Sequence, residues 1–333
     1  MDSSLKIYDN HGRSINYLRL AVTDRCNLRC FYCMPEEGIK YVPREELLSY
    51  EEMHRIVSMM ANLGINKVRI TGGEPFVRKG MMGFMKSIYK IDGIEKLNLT
   101  TNGTLTEGLV KDFKKVGIQS VNLSLDSLDQ QRFYEITRRD DLPKVLRTLD
   151  ALLGAQIEVK INAVLMAGKN TQDILPMIEL AKNDNIAVRF IEEMPFNGEG
   201  ARTANQFWDY KMILDHIKQT HPSLSKITDE PNSTSLNYKI DGFKGSVGVI
   251  PAFSRTFCGT CNRIRLTPQG QLKTCLYDEG VFNIKDLIRS GATDQQLLAT
   301  FLDALNNRAK DGFEAEKRRG INKISESMST IGG

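Results

Sequence analysis

Short β-rich runs and helical stretches alternate six times between residue 15 and about residue 220, and that alternation restricts the chain to a few architectures. Strands are read at 17–22, 67–71, 96–101, 120–125, 158–164 and 187–191. Helical periodicity falls at 50–63, 79–89, 107–116, 142–153, 171–182 and 207–220. Such units in series build a parallel sheet with right-handed crossovers, either open and doubly wound or curled towards a barrel. The strand faces decide. One side is apolar throughout, as in Leu18, Leu20 and Val22, Val68 and Ile70, Leu97 and Leu99, or Val159, Ile161 and Ala163. The other carries Arg19, Arg69, Asn98, Thr100, Asn122, Ser124, Lys160 and Asn162. A doubly wound sheet should be apolar on both faces, and a closed barrel fills its lumen with branched apolar side chains. A curled, partial barrel with a polar, ligand-filled lumen fits instead, because inward charges are costly unless an anion pairs with them. In the sixth strand the alternation blurs and leaves open whether Arg189 or Glu192 faces inward.

After about residue 232 the pattern changes. Short antiparallel strands are read near 238–240, 246–250, 263–267 and 271–275, with Pro268-Gln269-Gly270 as a hairpin turn, followed by helices at 284–288 and 294–305. The expected organisation is an α/β partial (βα)6 TIM-type barrel over residues 1–232 and a C-terminal α+β domain over 233–333. The stretch from Asn307 to Gly332 and Gly333 has little core-forming content and reads as a mobile tail. No apolar run approaches the roughly 20 residues of a membrane span, and the N-terminus lacks the apolar stretch of a signal peptide. A net charge of +4 suits an anionic small molecule and makes no case for nucleic acid. Both readings point to a cytoplasmic protein without a membrane partner.

The cysteines narrow the chemistry. All six fall into two triplets, Cys26, Cys30 and Cys33, and Cys258, Cys261 and Cys275. In a reducing compartment such triplets are ligands rather than disulfides, and soft thiolates select zinc, copper(I) or iron–sulfur clusters. Three thiolates hold three irons of a 4Fe-4S cluster and leave the fourth open, as a catalytic metal requires. The alternative is zinc, half a ribbon in the second case, yet no further cysteine remains. The four histidines, His11, His54, His216 and His221, do not stand beside either triplet. Arg263 and Arg265, two residues apart on a strand, point the same way and suit a phosphate or another anionic edge.

Cys26-x3-Cys30-x2-Cys33 after the first strand, with Thr71-Gly72-Gly73-Glu74-Pro75 after the second, resembles the radical S-adenosylmethionine superfamily. The segments LRLAVTDRCNLRCFYCMP, VRITGGEP, LTTNG, VNLSLD, VKINAV, RFIEEM and CGTCNRIRL, with the terminal Gly-Gly, resemble its GTP-cyclising branch in molybdenum cofactor biosynthesis, essentially end to end. The resemblance implies S-adenosylmethionine at a 4Fe-4S cluster on the first triplet and GTP at a second cluster. It implies a 5′-deoxyadenosyl radical that removes the C3′ hydrogen of GTP, after which C3′ attacks guanine C8. By position, Tyr32, Gly73, Glu74, Ser124 and Met194 would contact the cofactor. Arg19, Arg69, Thr100, Lys160, Arg189, Arg263, Ile264 and Arg265 would contact GTP. Arg19, Gly332 and Gly333 would assist the radical step. A low-potential cluster in a cytosol suggests a small flavin or iron–sulfur donor, of the flavodoxin or ferredoxin type, and the same resemblance implies a cyclic pyranopterin monophosphate synthase downstream and a homodimer.

Overall fold

A computed structural model describes residues 6–194, 196, 207–319 and 326–332. Its strands are β1 (Tyr17–Ala21), β2 (Lys67–Thr71), β3 (Lys96–Thr101), β4 (Ile118–Ser124), β5 (Glu158–Leu165), β6 (Ile186–Glu192), β7 (Ser225–Lys226), β8 (Leu236–Lys239), β9 (Ser246–Ile250), β10 (Arg263–Leu266), β11 (Gln271–Lys273) and β12 (Phe282–Asn283). They form one open sheet in the order β12-β11-β10-β1-β2-β3-β4-β5-β6-β9-β8-β7. The six N-terminal strands are consecutive parallel neighbours, as a partial barrel requires. The C-terminal strands correct one expectation. Only their outer pairings are antiparallel, whereas β9 joins β6 and β10 joins β1 in parallel.

The helices are α1 (Tyr50–Ala61), α2 (Met81–Tyr89), α3 (Gln130–Thr137), α4 (Leu142–Gly154), α5 (Ile174–Asn183), α6 (Tyr210–Thr220), α7 (Ile284–Arg289), α8 (Asp294–Asn306), α9 (Gly312–Arg318) and α10 (Met328–Ile331). No described helix is long and apolar enough to cross a membrane. Two segments depart from the periodicity. Residues 107–116 form two 3-10 turns and stop at Gly117, whose φ of 87° suits glycine. The two-turn α3 buries only Phe133, Ile136 and Thr137, too short a stripe to register as a helical period. It starts where the Asp129 side chain accepts from the Arg132 amide.

The apolar strand face is the core. Leu18, Leu20, Val68, Ile70, Leu97, Leu99, Val121, Leu123, Val159 and Ile161 are buried against Ile56, Val57, Met85, Ile88, Val145, Leu149, Met177 and Ile178 of the flanking helices. Beyond Asn307 the chain is better anchored than its composition predicts. Ala309, Ala315 and Ile331 are buried with Phe196 and Tyr277 in a second cluster, and Asp311 caps α9 by accepting from the Glu314 amide.

Candidate active site

The polar strand face encloses a cavity of about 780 Å3, and all six cysteines line it. Strand register explains how triplets so distant in sequence share one space. Cys26 follows β1, whereas Cys261 precedes β10, which runs parallel to β1 with Tyr17 opposite Arg263. Strand β11 returns antiparallel, Lys273 opposite Arg265, and so brings Cys275 back beside Cys261. The triplets therefore sit at opposite ends of the β1–β10 pair, separated by roughly the 15 Å of a five-residue strand.

At the first triplet the Cys33 and Met34 amides both donate to the Cys30 carbonyl at 2.9 Å. The loop after β2 packs directly beneath: the Gly73 amide donates to Thr23 O and the Glu74 amide to Arg25 O, each at 2.9 Å. A Cβ on Gly73 would overlap the Arg25 carbonyl and crowd the Cys26 amide, so glycine is needed for close approach. Tyr32, Gly73, Ser124 and Met194 line the cavity. The Tyr32 hydroxyl donates to Asp126 at 2.8 Å. Burial pushes the Asp126 carboxyl up to about 6 against the opposing Tyr32 and Val164 hydrogen bonds. Glu74 departs from its expected place at the cofactor. Its side chain is fully buried and accepts from Thr101 Oγ1 at 2.9 Å, from the Asn102 amide at 2.8 Å and from the Phe76 amide at 3.2 Å, so it braces the end of β3.

Burial pushes the thiols of Cys26 and Cys33 up to about 11 and 12, and Cys30 well above its ordinary value, with Glu74 adding repulsion at Cys26, Asp126 and then the other two cysteines at Cys30, and Cys26 at Cys33. Such a set ionises together only around a cation. Among the described residues no three His, Cys, Asp or Glu side chains are grouped as a single metal ion needs.

Cations dominate between the triplets. Arg19, Arg69, Lys160, Arg189, Arg263 and Arg265 line the cavity, as does Thr100. Lys160 pairs with Glu158 at 2.8 Å, and Arg69 donates to Tyr17 Oη at 2.6 Å and to Leu99 O at 2.9 Å. Arg189 faces inward. Glu192 lies on the core side, where it accepts from the Tyr210 amide at 2.8 Å and the Ser254 amide at 2.7 Å. The strand alternates strictly, but with an apolar Ile191 in the lumen and a charged Glu192 on the core side its polarity pattern blurs. Thr100 Oγ1, Arg189 Nε and Arg263 Nη2 are buried without a hydrogen-bond partner among the described residues. Each such orphan costs about 1–3 kcal/mol, so the lining is built for a polar anion. Ile264 is the second departure: its side chain is fully buried in the core, and the residue does not line the cavity.

At the second triplet burial raises Cys258 and takes Cys275 to about 11, while for Cys261 the Arg263 and Arg308 guanidiniums outweigh burial and bring the thiol down to about 6. Gly332 reaches from the C-terminal tail to the ends of β1 and β2, towards the first triplet, where Ser327 Oγ of the same tail donates to the Cys33 carbonyl at 2.6 Å. The Gly332 carbonyl accepts from Arg265 Nη1 at 2.8 Å and from Arg19 Nη2 at 3.4 Å, and the glycine's φ of 75° and close approach to Thr71 and Ala21 leave no room for a Cβ. Gly333 lies outside the described residues.

Tyr17 and Lys67 also line the cavity and were not among the expected site residues. Each lies two positions before an inward arginine, so the parity that identified Arg19 and Arg69 applied to them. Lys67 Nζ stands 4.5 Å from the centroid of the Tyr17 ring. Burial would raise the Tyr17 phenol, but Arg69, Arg19 and Lys67 bring it down to about 7 from 10.0. The folded value lies below the unfolded one, so Tyr17 adds stability as pH rises from about 7 towards 10 and loses it as pH falls through 7. A pH titration of tyrosinate absorbance is expected to show one group ionising near 7 in the ligand-free protein and none there in Tyr17→Phe. A wild-type titration without that early group would refute the cationic surroundings described for Tyr17.

Comparisons with known proteins agree with this architecture. Residues 20–181 match the Radical SAM superfamily model and residues 186–314 the Molybdenum Cofactor Synthesis C model. GTP 3′,8-cyclase of Clostridium botulinum strain Hall is 40% identical over 326 residues, covering 98% of this chain and 99% of that one. Molybdenum cofactor biosynthesis protein 1 of Dictyostelium discoideum is 40% identical over 301 residues, 89% of this chain and 48% of the relative. Molybdenum cofactor biosynthesis protein moc-5 of Caenorhabditis elegans is 38% identical over 302 residues, 90% and 50% of the two chains. The chain thus spans about half the length of these last two relatives. Among solved structures, Streptococcus suis SuiB bound to S-adenosylmethionine aligns over 94% of this chain and 70% of its own, with a TM-score of 0.60 at 14% identity. Methylornithine synthase (PylB) aligns over 86% of each chain, with a TM-score of 0.55 at 15% identity. Both likenesses concern the fold alone. On the sequence matches, with the cysteine loop and glycine turn where that fold needs them, the chain belongs to the GTP 3′,8-cyclase family of the radical S-adenosylmethionine superfamily.

Proposed function

We propose that this protein converts GTP to (8S)-3′,8-cyclo-7,8-dihydroguanosine 5′-triphosphate, the first step of molybdenum cofactor biosynthesis. The observation that carries this reading is the placement of two thiol triplets at opposite ends of one cation-lined cavity. When bound, a 4Fe-4S cluster on Cys26, Cys30 and Cys33 supplies the electron that cleaves S-adenosylmethionine to a hydrogen-abstracting radical. The chain's own residues bind and orient. Tyr32, Gly73, Ser124 and Met194 cradle the cofactor at the C-terminal end of the strands, with backbone exposed by the glycines.

Arg69, Lys160 and Arg189, joined by Lys67, neutralise the triphosphate. Thr100, Arg263 and Arg265 fix the rest of the nucleotide against a second 4Fe-4S cluster on Cys258, Cys261 and Cys275. Arg19 and the Gly332 carbonyl meet beside the reacting region and exclude water from it. A cavity of about 780 Å3 lies within the range of small-molecule sites, roughly 300–1,000 Å3. In this reading residues 1–232 hold the cofactor and 233–333 clasp the substrate. A flavodoxin- or ferredoxin-type donor supplies electrons in the cytoplasm. The product passes to a cyclic pyranopterin monophosphate synthase, and the chain works as a homodimer.

Anaerobic reconstitution tests the core of this reading. About eight irons per chain, with GTP-dependent 5′-deoxyadenosine and a cyclised nucleotide, is the expected result. About four irons with deoxyadenosine but no GTP product would reduce the second triplet to a zinc or structural site and overturn GTP as substrate.

A further inference from the structure

The second triplet is held by a buried two-arginine cradle that belongs to neither the barrel strands nor the cysteine loops. Arg308, 2% exposed and just beyond α8, donates from Nη2 to Cys261 Sγ at 3.2 Å. It also donates to three backbone carbonyls around the cysteines: Cys261 at 2.9 Å, Arg263 at 2.9 Å and Thr274, next to Cys275, at 3.0 Å. Asp9, in the N-terminal turn, joins it to a second guanidinium. Its Oδ2 accepts from Arg308 Nη1 at 3.1 Å and from Arg13 Nε at 2.7 Å. Arg13 in turn donates to the Cys258 carbonyl at 3.1 Å. Residues near both chain ends thus grip the backbone beside all three cysteines.

Carboxylates act on both triplets, Glu74 on Cys26 and Asp126 on Cys30 and Cys33 at the first, Asp311 on Cys258 and Asp278 on Cys275 at the second. The difference is at Cys261, where the Arg263 and Arg308 guanidiniums outweigh burial; among the described residues the side-chain nitrogen at a first-triplet sulfur is the neutral Asn102 amide, 3.7 Å from Cys26 Sγ. Hydrogen bonds and positive charge at a ligating sulfur favour the reduced, more negative state of a cluster, and carboxylates disfavour it.

We infer that Arg308, locked by Asp9, is a positioning residue for the group on Cys258, Cys261 and Cys275, presetting its ligand loops and making that group easier to reduce. The inference rests on the two-cluster reading proposed above. It is tested by redox titration, followed by electron paramagnetic resonance, of a Cys26→Ala, Cys30→Ala, Cys33→Ala background that retains the second triplet alone. Arg308→Met in that background is expected to lower the midpoint potential. At a fixed poise the ratio of reduced to oxidised cluster should fall about tenfold, about 59 mV for a one-electron couple.

Arg308→Lys keeps the charge without the planar fork and should fall between. If Arg308→Met holds no cluster, a lowered potential in Arg308→Lys still supports the role. Unchanged potentials in both variants would overturn it. A background protein that binds no cluster at the second triplet would overturn the two-cluster reading itself, before any Arg308 variant is compared.

Discussion

An Arg263→Ala, Arg265→Ala double variant should bind GTP about a hundredfold to ten-thousandfold more weakly while still cleaving S-adenosylmethionine. Hydrogen bonds to a charged group contribute about 1.5–3 kcal/mol each, and two guanidiniums lost together give about 3–6 kcal/mol, at 1.4 kcal/mol per decade. The first triplet and its glycine turn lie at the other end of the β1–β10 pair, so cofactor cleavage persists.

The same substitution should stabilise the ligand-free protein. Burial and the neighbouring Arg263 bring the Arg265 guanidinium down to about 10, and Arg265 is the charged group that most strongly depresses Arg19. These arginines repel one another until an anion arrives. Calorimetric titration with GTP and a thermal melt without it are the two measurements. GTP binding at wild-type strength would remove GTP from this end of the cavity.

Gly73→Ala should cost the protein its first cluster. The added methyl would meet the Arg25 carbonyl and the Cys26 amide, both backbone, in a segment tied down by the Gly73–Thr23 and Glu74–Arg25 hydrogen bonds. Overpacking of this kind costs about 1–3 kcal/mol, and here it acts on the loop that carries the ligands. Reconstituted iron should fall from about eight to about four per chain, with S-adenosylmethionine cleavage abolished. Gly83→Ala is the control: it lies in α2, and a Cβ there meets nothing within 4 Å, so iron content should not change. Full iron loading and cleavage in Gly73→Ala would show that the turn and the cysteine loop do not need this close approach.

Much of the architecture was legible because the lumen is polar. Arg19, Arg69, Thr100 and Lys160 alternate with aliphatic residues that pack against helices, and period-2 parity alone assigns them inward. Polarity misled where strict parity still holds, at the end of β6, whose Ile191 faces the lumen with Arg189 and whose Glu192 lies with Val188 and Phe190 on the core side, and where a motif residue serves the scaffold, as Glu74 does beneath Asn102. Parity also spoke against one strand residue carried over by resemblance: Ile264, between two inward arginines, has the parity of the core side. Arg308 left no local signal at all. Its partners come from the N-terminal turn and both cysteine segments, and only tertiary structure brings them together. The parallel docking of β10 on β1 was equally hidden, since a short strand in a hairpin reads as antiparallel whichever sheet it later joins.

That docking bears on how the chain can be made. β1 sits in the interior of the finished sheet, yet one of its two partners lies more than two hundred residues further on. While the chain emerges from the ribosome, β1 is an unpaired edge with its amides and carbonyls bare, and a bare edge is a template for pairing with another molecule. Closing so long a loop is slow compared with forming the successive β1-to-β6 contacts. The nascent sheet therefore waits with the edges of β1 and β6 bare until the last third of the chain arrives to cover them with β10 and β9.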